Sequence, residues 1–203
     1  MGQQWKQSKG LTIIYVGDGK GKTTAAVGMI VRALGHGWRV AFLQFMKEEK
    51  WPSGERDFLR SLSKKTSPLL LGEGEGEVQV RSQGEVLVEV VGQGFVGIMG
   101  DKKERDIHRA AAEAGYKKTL DLLTSKQYDL VVLDEILSAV DEGLLTEDQI
   151  LVLIAYKPED TTLVMTGHKH YSKIFEKADL VTEMKKLKHP FDSGYIAKKG
   201  VDF

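Results

Sequence analysis

Short apolar runs alternate along the chain with longer stretches whose apolar residues recur at helical spacing. The runs predict buried strands over residues 11–16, 39–45, 130–133, 162–166 and 180–184, with a further apolar run over 86–91. The longer stretches predict helices over residues 23–34, 104–123, 147–156 and 171–177. Because strands that are apolar on both faces belong to sheets covered on two sides, this order predicts an α/β fold with a mostly parallel sheet and helices on both faces.

Glycine is the one residue type whose count is unusual. It supplies 22 of the 203 residues, whereas roughly 7% is typical of proteins. Eight of these glycines lie between Gly72 and Gly100. We therefore predict a single domain over residues 1–203, with an irregular glycine-rich insertion, a hairpin or a long loop, at about residues 61–100.

Composition and charge exclude several classes of function. The chain has no cysteine, so a disulfide scaffold, a thiolate metal cluster and a cysteine nucleophile are all excluded. A formal net charge of zero argues against a generally basic nucleic-acid binder. The N-terminus is polar, without the apolar run of a signal peptide, and no apolar run is long enough to span a bilayer. We expect a cytoplasmic protein that binds neither nucleic acid nor membrane.

A glycine-rich turn between the first predicted strand and the first predicted helix has the composition of a phosphate-binding loop. Its glycines let backbone amides point at an anion, and the helix N-terminus adds partial positive charge. Lys22 can reach phosphate oxygens, and the Thr23 hydroxyl can bind Mg²⁺. A strict Walker A motif is absent because Val16 stands at its first glycine position. The predicted nucleotide-binding residues are Gly17, Asp18, Gly19, Lys20, Gly21, Lys22, Thr23 and Thr24.

Two acidic residues, Asp134 and Glu135, follow the predicted strand at 130–133 and resemble the end of a Walker B motif. A carboxylate there can hold Mg²⁺ directly or through water. Alone, such residues are as often helix caps, but a phosphate loop at the same edge of the sheet favours the metal role. The sequence therefore predicts binding of a magnesium nucleotide, with Thr23, Asp134 and Glu135 as metal ligands, and leaves the reaction open.

The phosphate loop belongs to a longer series of short blocks that closely resembles the P-loop ATP:corrinoid (cob(I)alamin) adenosyltransferases. The blocks are residues 10–26, 32–37, 44–47, 51–56, 94–95, 129–135, 166–167, 188–191, Gly194 and 200–203. The resemblance covers nearly the whole chain and implies a P-loop NTPase fold of the RecA-like type. It implies that Co(I) of a reduced corrinoid attacks the 5′ carbon of ATP, which releases triphosphate.

The resemblance also implies roles for individual residues. ATP would lie reversed in the loop, with its triphosphate held by the loop amides, by Lys22 and by Mg²⁺ on Thr23 and Glu135. Phe95 matches a phenylalanine that helps to displace the lower axial ligand of the corrinoid, so Lys22 and Phe95 are the predicted catalytic residues. Arg32 and His168 are expected to contact the nucleotide.

Three features depart from the family pattern. Gly97 stands where the family commonly has a tryptophan, two residues after the matching phenylalanine. His168 replaces the usual arginine, so a permanently charged guanidinium becomes an imidazole, a group that generally titrates near neutrality. The segment over residues 61–85 is also longer than the usual connection.

Two other functions remain open at this stage. The same loop could serve a P-loop phosphohydrolase or kinase, and the departures at Gly97 and His168 would suit a catalytically inactive ATP- or corrinoid-binding paralogue. The partners that the family implies are ATP, a reduced corrinoid and a second copy of the chain in a homodimer. The lysine-rich run at residues 185–188 would suit an acidic electron-donor reductase.

Overall fold

Six parallel strands form the centre of the part of the chain that this computed structural model describes, residues 9–63, 84–97 and 100–202. The strands are β1 Thr12–Val16, β2 Arg39–Gln44, β3 Glu85–Val90, β4 Leu130–Asp134, β5 Thr162–Thr166 and β6 Leu180–Glu183. Their order across the sheet is β3-β2-β4-β5-β1-β6. β5 therefore separates β1, which leads into the phosphate loop, from β4, which ends in Asp134, an arrangement typical of RecA-like P-loop folds.

Helices cover both faces of the sheet. They are α1 Lys22–Gly35, α2 Gly54–Ser63, α3 Arg105–Thr124, α4 Ile136–Asp141, α5 Glu147–Tyr156 and α6 Ser172–Phe175, followed by a 3₁₀ turn at Pro190–Ser193. None of the helices in the described ranges is long and apolar enough to cross a membrane.

In β1 to β5, alternate residues pack into two separate apolar cores, whereas β6 contributes to neither. In β4, Leu130 and Val132 pack with α1 and α2 on one face, while Val131 and Leu133 pack with the other helices on the opposite face. This double burial explains why the central strands contain continuous apolar runs. The predicted α/β class, with a parallel sheet between two layers of helices, is confirmed.

The predicted elements are present, with their ends shifted by up to two residues, and two helices were not predicted. The prediction that the strand over 180–184 is buried is wrong, because β6 lies at the edge of the sheet and is exposed at every position. α2 buries only Arg56 and Leu59, so few apolar residues mark its inward face. α4 buries Ile136 to Ala139 in succession and therefore shows no polar face in the sequence. The expected insertion at 61–100 contains the end of α2 and all of β3, and its residues 64–83 and 98–99 lie outside the described part.

Candidate functional site

The glycine-rich turn passes very close to the end of β6. The Gly19 amide donates to the Met184 carbonyl over 2.7 Å, and the Gly17 amide donates to the His168 carbonyl over 3.1 Å. A Cβ on Gly17 would lie 2.4 Å from the Met184 oxygen, and the φ angle of Gly17 is +107°. The loop therefore depends on glycine at this position for both space and backbone conformation.

Lys22 points back into the loop that precedes it. Its Nζ donates to the carbonyl oxygens of Gly17, at 2.7 Å, and Gly19, at 2.9 Å, and the residue is only 7% exposed. Burial lowers the pKa of Lys22, and the negative charges of Glu135, Asp18 and Asp134 oppose that effect. The ammonium is thus fixed inside the loop, where a bound phosphate could exchange for the carbonyl contacts.

Asp134 is fully buried at the carboxyl end of β4 and collects three polar side chains. Its Oδ1 accepts hydrogen bonds from the Thr23 and Thr166 hydroxyls, both at 2.9 Å, and its Oδ2 accepts one from Gln44 Nε2 at 3.3 Å. Burial raises the pKa of Asp134, and the neighbouring charge of Glu135 raises it further. Thr23 and Asp134 therefore meet as the sequence predicts, and their oxygens are the ligand type that Mg²⁺ prefers.

Glu135 lies immediately beyond β4 in a left-handed conformation, with φ of +61°. Its amide donates to Thr166 Oγ1 over 2.8 Å, and its carboxylate accepts a hydrogen bond from the Ser138 hydroxyl. His168 Nε2 lies 3.8 Å from Glu135 Oε2. This turn brings the two acidic residues and His168 to the edge of the sheet at which the phosphate loop lies.

Several of these groups line one cavity of about 440 Å³. Its lining residues are Asp18, Gly19, Lys20, Gly21, Lys22, Thr23, Thr24, Lys47, Glu135, His168, Val201 and Asp202. The volume is within the range of small-molecule sites. No cluster of three or more histidine, aspartate or glutamate side chains suited to a metal exists in the described ranges. A cation here would thus be held by a hydroxyl and carboxylates together with nucleotide or water oxygens, as is usual for Mg²⁺.

Comparison with known proteins decides the family. Residues 8–203 match the family model of the ATP:corrinoid adenosyltransferases BtuR/CobO/CobP. The corrinoid adenosyltransferase of Pseudomonas aeruginosa is 37% identical over 200 residues, which are 98% of this chain and 87% of that protein. Those of Escherichia coli K12 and Salmonella typhimurium are each 32% identical over 98% of this chain and 89% of theirs. The chain belongs to the ATP:corrinoid adenosyltransferase family. Its membership confirms the predicted family and class of enzyme.

Three residues of the adenosyltransferase cavity were not predicted as site residues. Lys47 follows β2, and Val201 and Asp202 lie near the C-terminus, where Asp202 forms an ion pair with Lys20. All three belong to blocks that carried the family resemblance, which was the only signal in the sequence for them. These residues are far from the loop in the sequence, and they come close to it only when the chain folds and β2 and the C-terminal segment lie beside α1.

Arg32 is not brought to this cavity. It lies in the last turn of α1 and lines a different cavity of about 280 Å³, together with Met29, Trp38 and Leu130. That cavity lies at the opposite end of the helix from the phosphate loop. The structure therefore separates Arg32 from the other predicted nucleotide-binding residues.

Phe95 lies in the connection between β3 and α3, also outside the phosphate cavity. Its ring stacks on Trp51, with 5.8 Å between the ring centroids and 24° between the planes. Gly97, at the first departure from the family pattern, has φ of +69°, and nothing lies within 4 Å of where its Cβ would be. A Cβ there would meet no described atom, but the backbone of a residue with a side chain would be strained in this conformation.

Proposed function

We propose that this adenosyltransferase moves the 5′-deoxyadenosyl group of ATP to the reduced cobalt of a corrinoid, and that the phosphate-loop cavity holds the triphosphate that leaves. The observation that supports this most strongly is that Lys22, Thr23 and Glu135 line one cavity, while the buried Asp134 accepts a hydrogen bond from Thr23 at its edge. These residues combine a fixed cation with oxygen ligands for a metal, which is what a leaving group of high negative charge requires.

The loop stabilises the leaving group without moving far. As the bond between the 5′ carbon and its phosphate oxygen breaks, negative charge collects on the triphosphate. Loop amides at the N-terminus of α1 and the Lys22 ammonium are already in place to receive that charge. On ATP binding, Lys22 Nζ exchanges its contacts with the carbonyls of Gly17 and Gly19 for phosphate oxygens.

Mg²⁺ is the cation that best fits the oxygen groups at this edge. Thr23, Asp134 and Glu135 would hold it, and when bound it neutralises part of the triphosphate charge. The hydrogen bonds from Thr166 and Gln44 to Asp134 hold the carboxylate in position and keep one of its oxygens beside Thr23. His168, half-exposed near Glu135, would contact a phosphate from the open side of the cavity.

The chain needs no nucleophile of its own, because the cobalt of the corrinoid substrate supplies the electron pair. That pair forms the cobalt–carbon bond, and the pair of the broken carbon–oxygen bond leaves with triphosphate. Phe95, on the neighbouring loop, would assist by occupying the position of the lower axial ligand of the corrinoid. The stacking of its ring on Trp51 would hold the Phe95 side chain in position for that role.

The remaining partners follow from the family rather than from a particular contact. We propose a homodimer, a cytoplasmic location, and an electron donor that meets the exposed lysines of residues 185–188. Attraction between that lysine run and an acidic donor weakens with ionic strength. A donor-dependent rate that is insensitive to salt would therefore exclude this contact.

Analysis of both products tests the proposed reaction. The protein is incubated with MgATP and chemically reduced cobalamin, and the corrinoid and phosphate products are identified. Adenosylcobalamin and triphosphate in equal amounts are the expected result. ADP and phosphate would instead identify a phosphohydrolase, and tight binding without turnover would identify an inactive paralogue; either result overturns the proposal.

A further inference from the structure

His108 is buried on a face of α3 whose other buried residues are small or apolar. The buried residues of this helix are His108, Ala112, Gly115, Thr119 and Leu123, which recur every three or four positions and form one stripe. His108 is 2% exposed, and its Nε2 lies 2.9 Å from Asp101 Oδ2. Within the described residues its Nδ1 has no hydrogen-bond partner. Burial of an imidazole and a carboxylate costs free energy that their hydrogen bond offsets only in part, and apolar residues of similar size would often be as stable there.

The partner of His108 closes the turn that follows Phe95. Asp101 Oδ2 accepts a hydrogen bond from the Gly97 amide at 3.0 Å, and Oδ1 accepts one from the Lys103 amide at 3.2 Å. The Gly97 amide lowers the pKa of Asp101, and burial only partly opposes this effect. Asp101 is therefore an ionised carboxylate. Its hydrogen bonds connect Gly97, which follows Phe95, to the residues just before α3.

Lys103 contacts the residues that precede Phe95 in the same turn. Its Nζ donates to the Gln93 carbonyl and to Glu48 Oε1, both at 3.0 Å. Phe95 thus lies between two anchored positions, Gln93 and Gly97, and both anchors lead to the segment 101–108. These hydrogen bonds on both sides of Phe95 restrict the movement of its backbone.

The turn is also joined to the ATP side of the molecule. The Gly94 amide donates to the Lys47 carbonyl over 3.2 Å, and Lys47 lines the phosphate cavity. A Cβ on Gly94 would lie 3.3 Å from two atoms of the Trp51 ring, so the turn packs closely on that indole. A shift of the turn would therefore change the position of Phe95 relative to the bound nucleotide.

We propose that His108 is a positioning residue: through Asp101 it holds the turn over residues 93–97 so that Phe95 meets the corrinoid at a fixed distance from the 5′ carbon of ATP. This inference rests on the proposed function. The contact between His108 Nε2 and the Asp101 carboxylate needs no further hydrogen-bond partner at Nδ1. His108 touches neither substrate, so its effect passes entirely through the turn.

The test compares two corrinoids. His108→Ala, His108→Gln and Phe95→Ala are assayed with complete cobalamin and with a corrinoid that lacks the lower ligand, and His36→Ala, at an exposed position, is the control. We expect His108→Ala to lower kcat with cobalamin about tenfold or more. With the corrinoid that lacks the lower ligand, His108→Ala should lower kcat by a smaller factor. The KM for ATP should change by less than about twofold. Phe95→Ala should likewise lower kcat more with complete cobalamin than with the other corrinoid. The His108→Gln variant, whose amide can still donate to Asp101, should recover part of the rate.

Amide hydrogen exchange gives a readout that does not depend on activity. His108→Ala should speed exchange at Gly97 and Lys103, while Asp101→Asn should do the same even if His108→Ala fails to fold. Equal losses with the two corrinoids, or unchanged exchange at Gly97, would overturn the positioning role. A wild-type protein that forms no adenosylcorrinoid would instead refute the proposed function, so the two failures are distinguishable.

Discussion

Val16 and Gly17 show how single residues define the phosphate loop. Val16 stands where a strict Walker A motif has its first glycine, and it is the last residue of β1, 4% exposed in the core. A glycine there would leave a gap between sheet and helices. The loop instead begins one residue later, at Gly17, whose positive φ and close approach to Met184 exclude any side chain.

Replacement of Gly17 by alanine should therefore damage both stability and binding. Its Cβ would collide with the Met184 carbonyl, and its backbone would be strained, which together should lower the free energy of unfolding by about 1–3 kcal/mol. Gly28→Ala is the matched control, since nothing lies within 4 Å of its Cβ inside α1. That change should be neutral or stabilise the protein by up to about 1 kcal/mol. Chemical denaturation of both variants checks this; equal effects would contradict the steric argument.

At the scale of elements, the carboxyl ends of β1, β4 and β5 bring the site together. β4 ends at Asp134, β5 ends at Thr166, and the phosphate loop follows β1. Hydrogen bonds from Thr23 and Thr166 to one Asp134 oxygen join all three ends. The position of Asp134 therefore depends on strand order as much as on its own sequence.

Replacement of Asp134 by asparagine should weaken the use of Mg²⁺. The amide keeps the shape of the side chain but removes the negative charge beside Thr23, so the Mg²⁺ concentration that gives half the maximal rate should rise by about tenfold or more. Asp129→Asn is the control, because Asp129 precedes the same strand and binds the Arg39 amide at the opposite end. A Mg²⁺ titration of the rate that is the same for both variants would contradict the metal role.

Sequence periodicity predicted the strands and the longer helices because their apolar positions repeat over many residues. It did not predict α2, which buries only Arg56 and Leu59, or α4, whose first four residues are all buried. The phosphate loop and Asp134 were predictable because each belongs to a motif that is recognisable within a few consecutive residues. Lys47 reaches the cavity only through the folded sheet, and the His108–Asp101 pair depends on a turn whose path the sequence does not specify.

At the scale of the whole molecule, the two ends of the sheet carry different groups. α1 runs from one end to the other over 14 residues, about 21 Å at the usual helical rise. Lys22 begins the helix in the phosphate cavity, and Arg32 ends it beside Trp38 in the other cavity. Apart from Arg32, the proposed nucleotide-binding groups in the described ranges gather at the first end, and the Phe95 turn is joined to that end through Lys47.

The rate of adenosylcorrinoid formation by Lys22→Ala tests most directly the claim that the phosphate loop holds the leaving triphosphate. Removal of the buried ammonium should lower this rate by about a hundredfold or more, because Lys22 Nζ is the charge that the Gly17 and Gly19 carbonyls hold inside the loop. Arg32→Ala, at the other end of the same helix, should keep the KM for ATP within about twofold of the wild-type value. If Lys22→Ala forms adenosylcorrinoid at the wild-type rate, Lys22 does not bind the triphosphate and the account of the site is wrong.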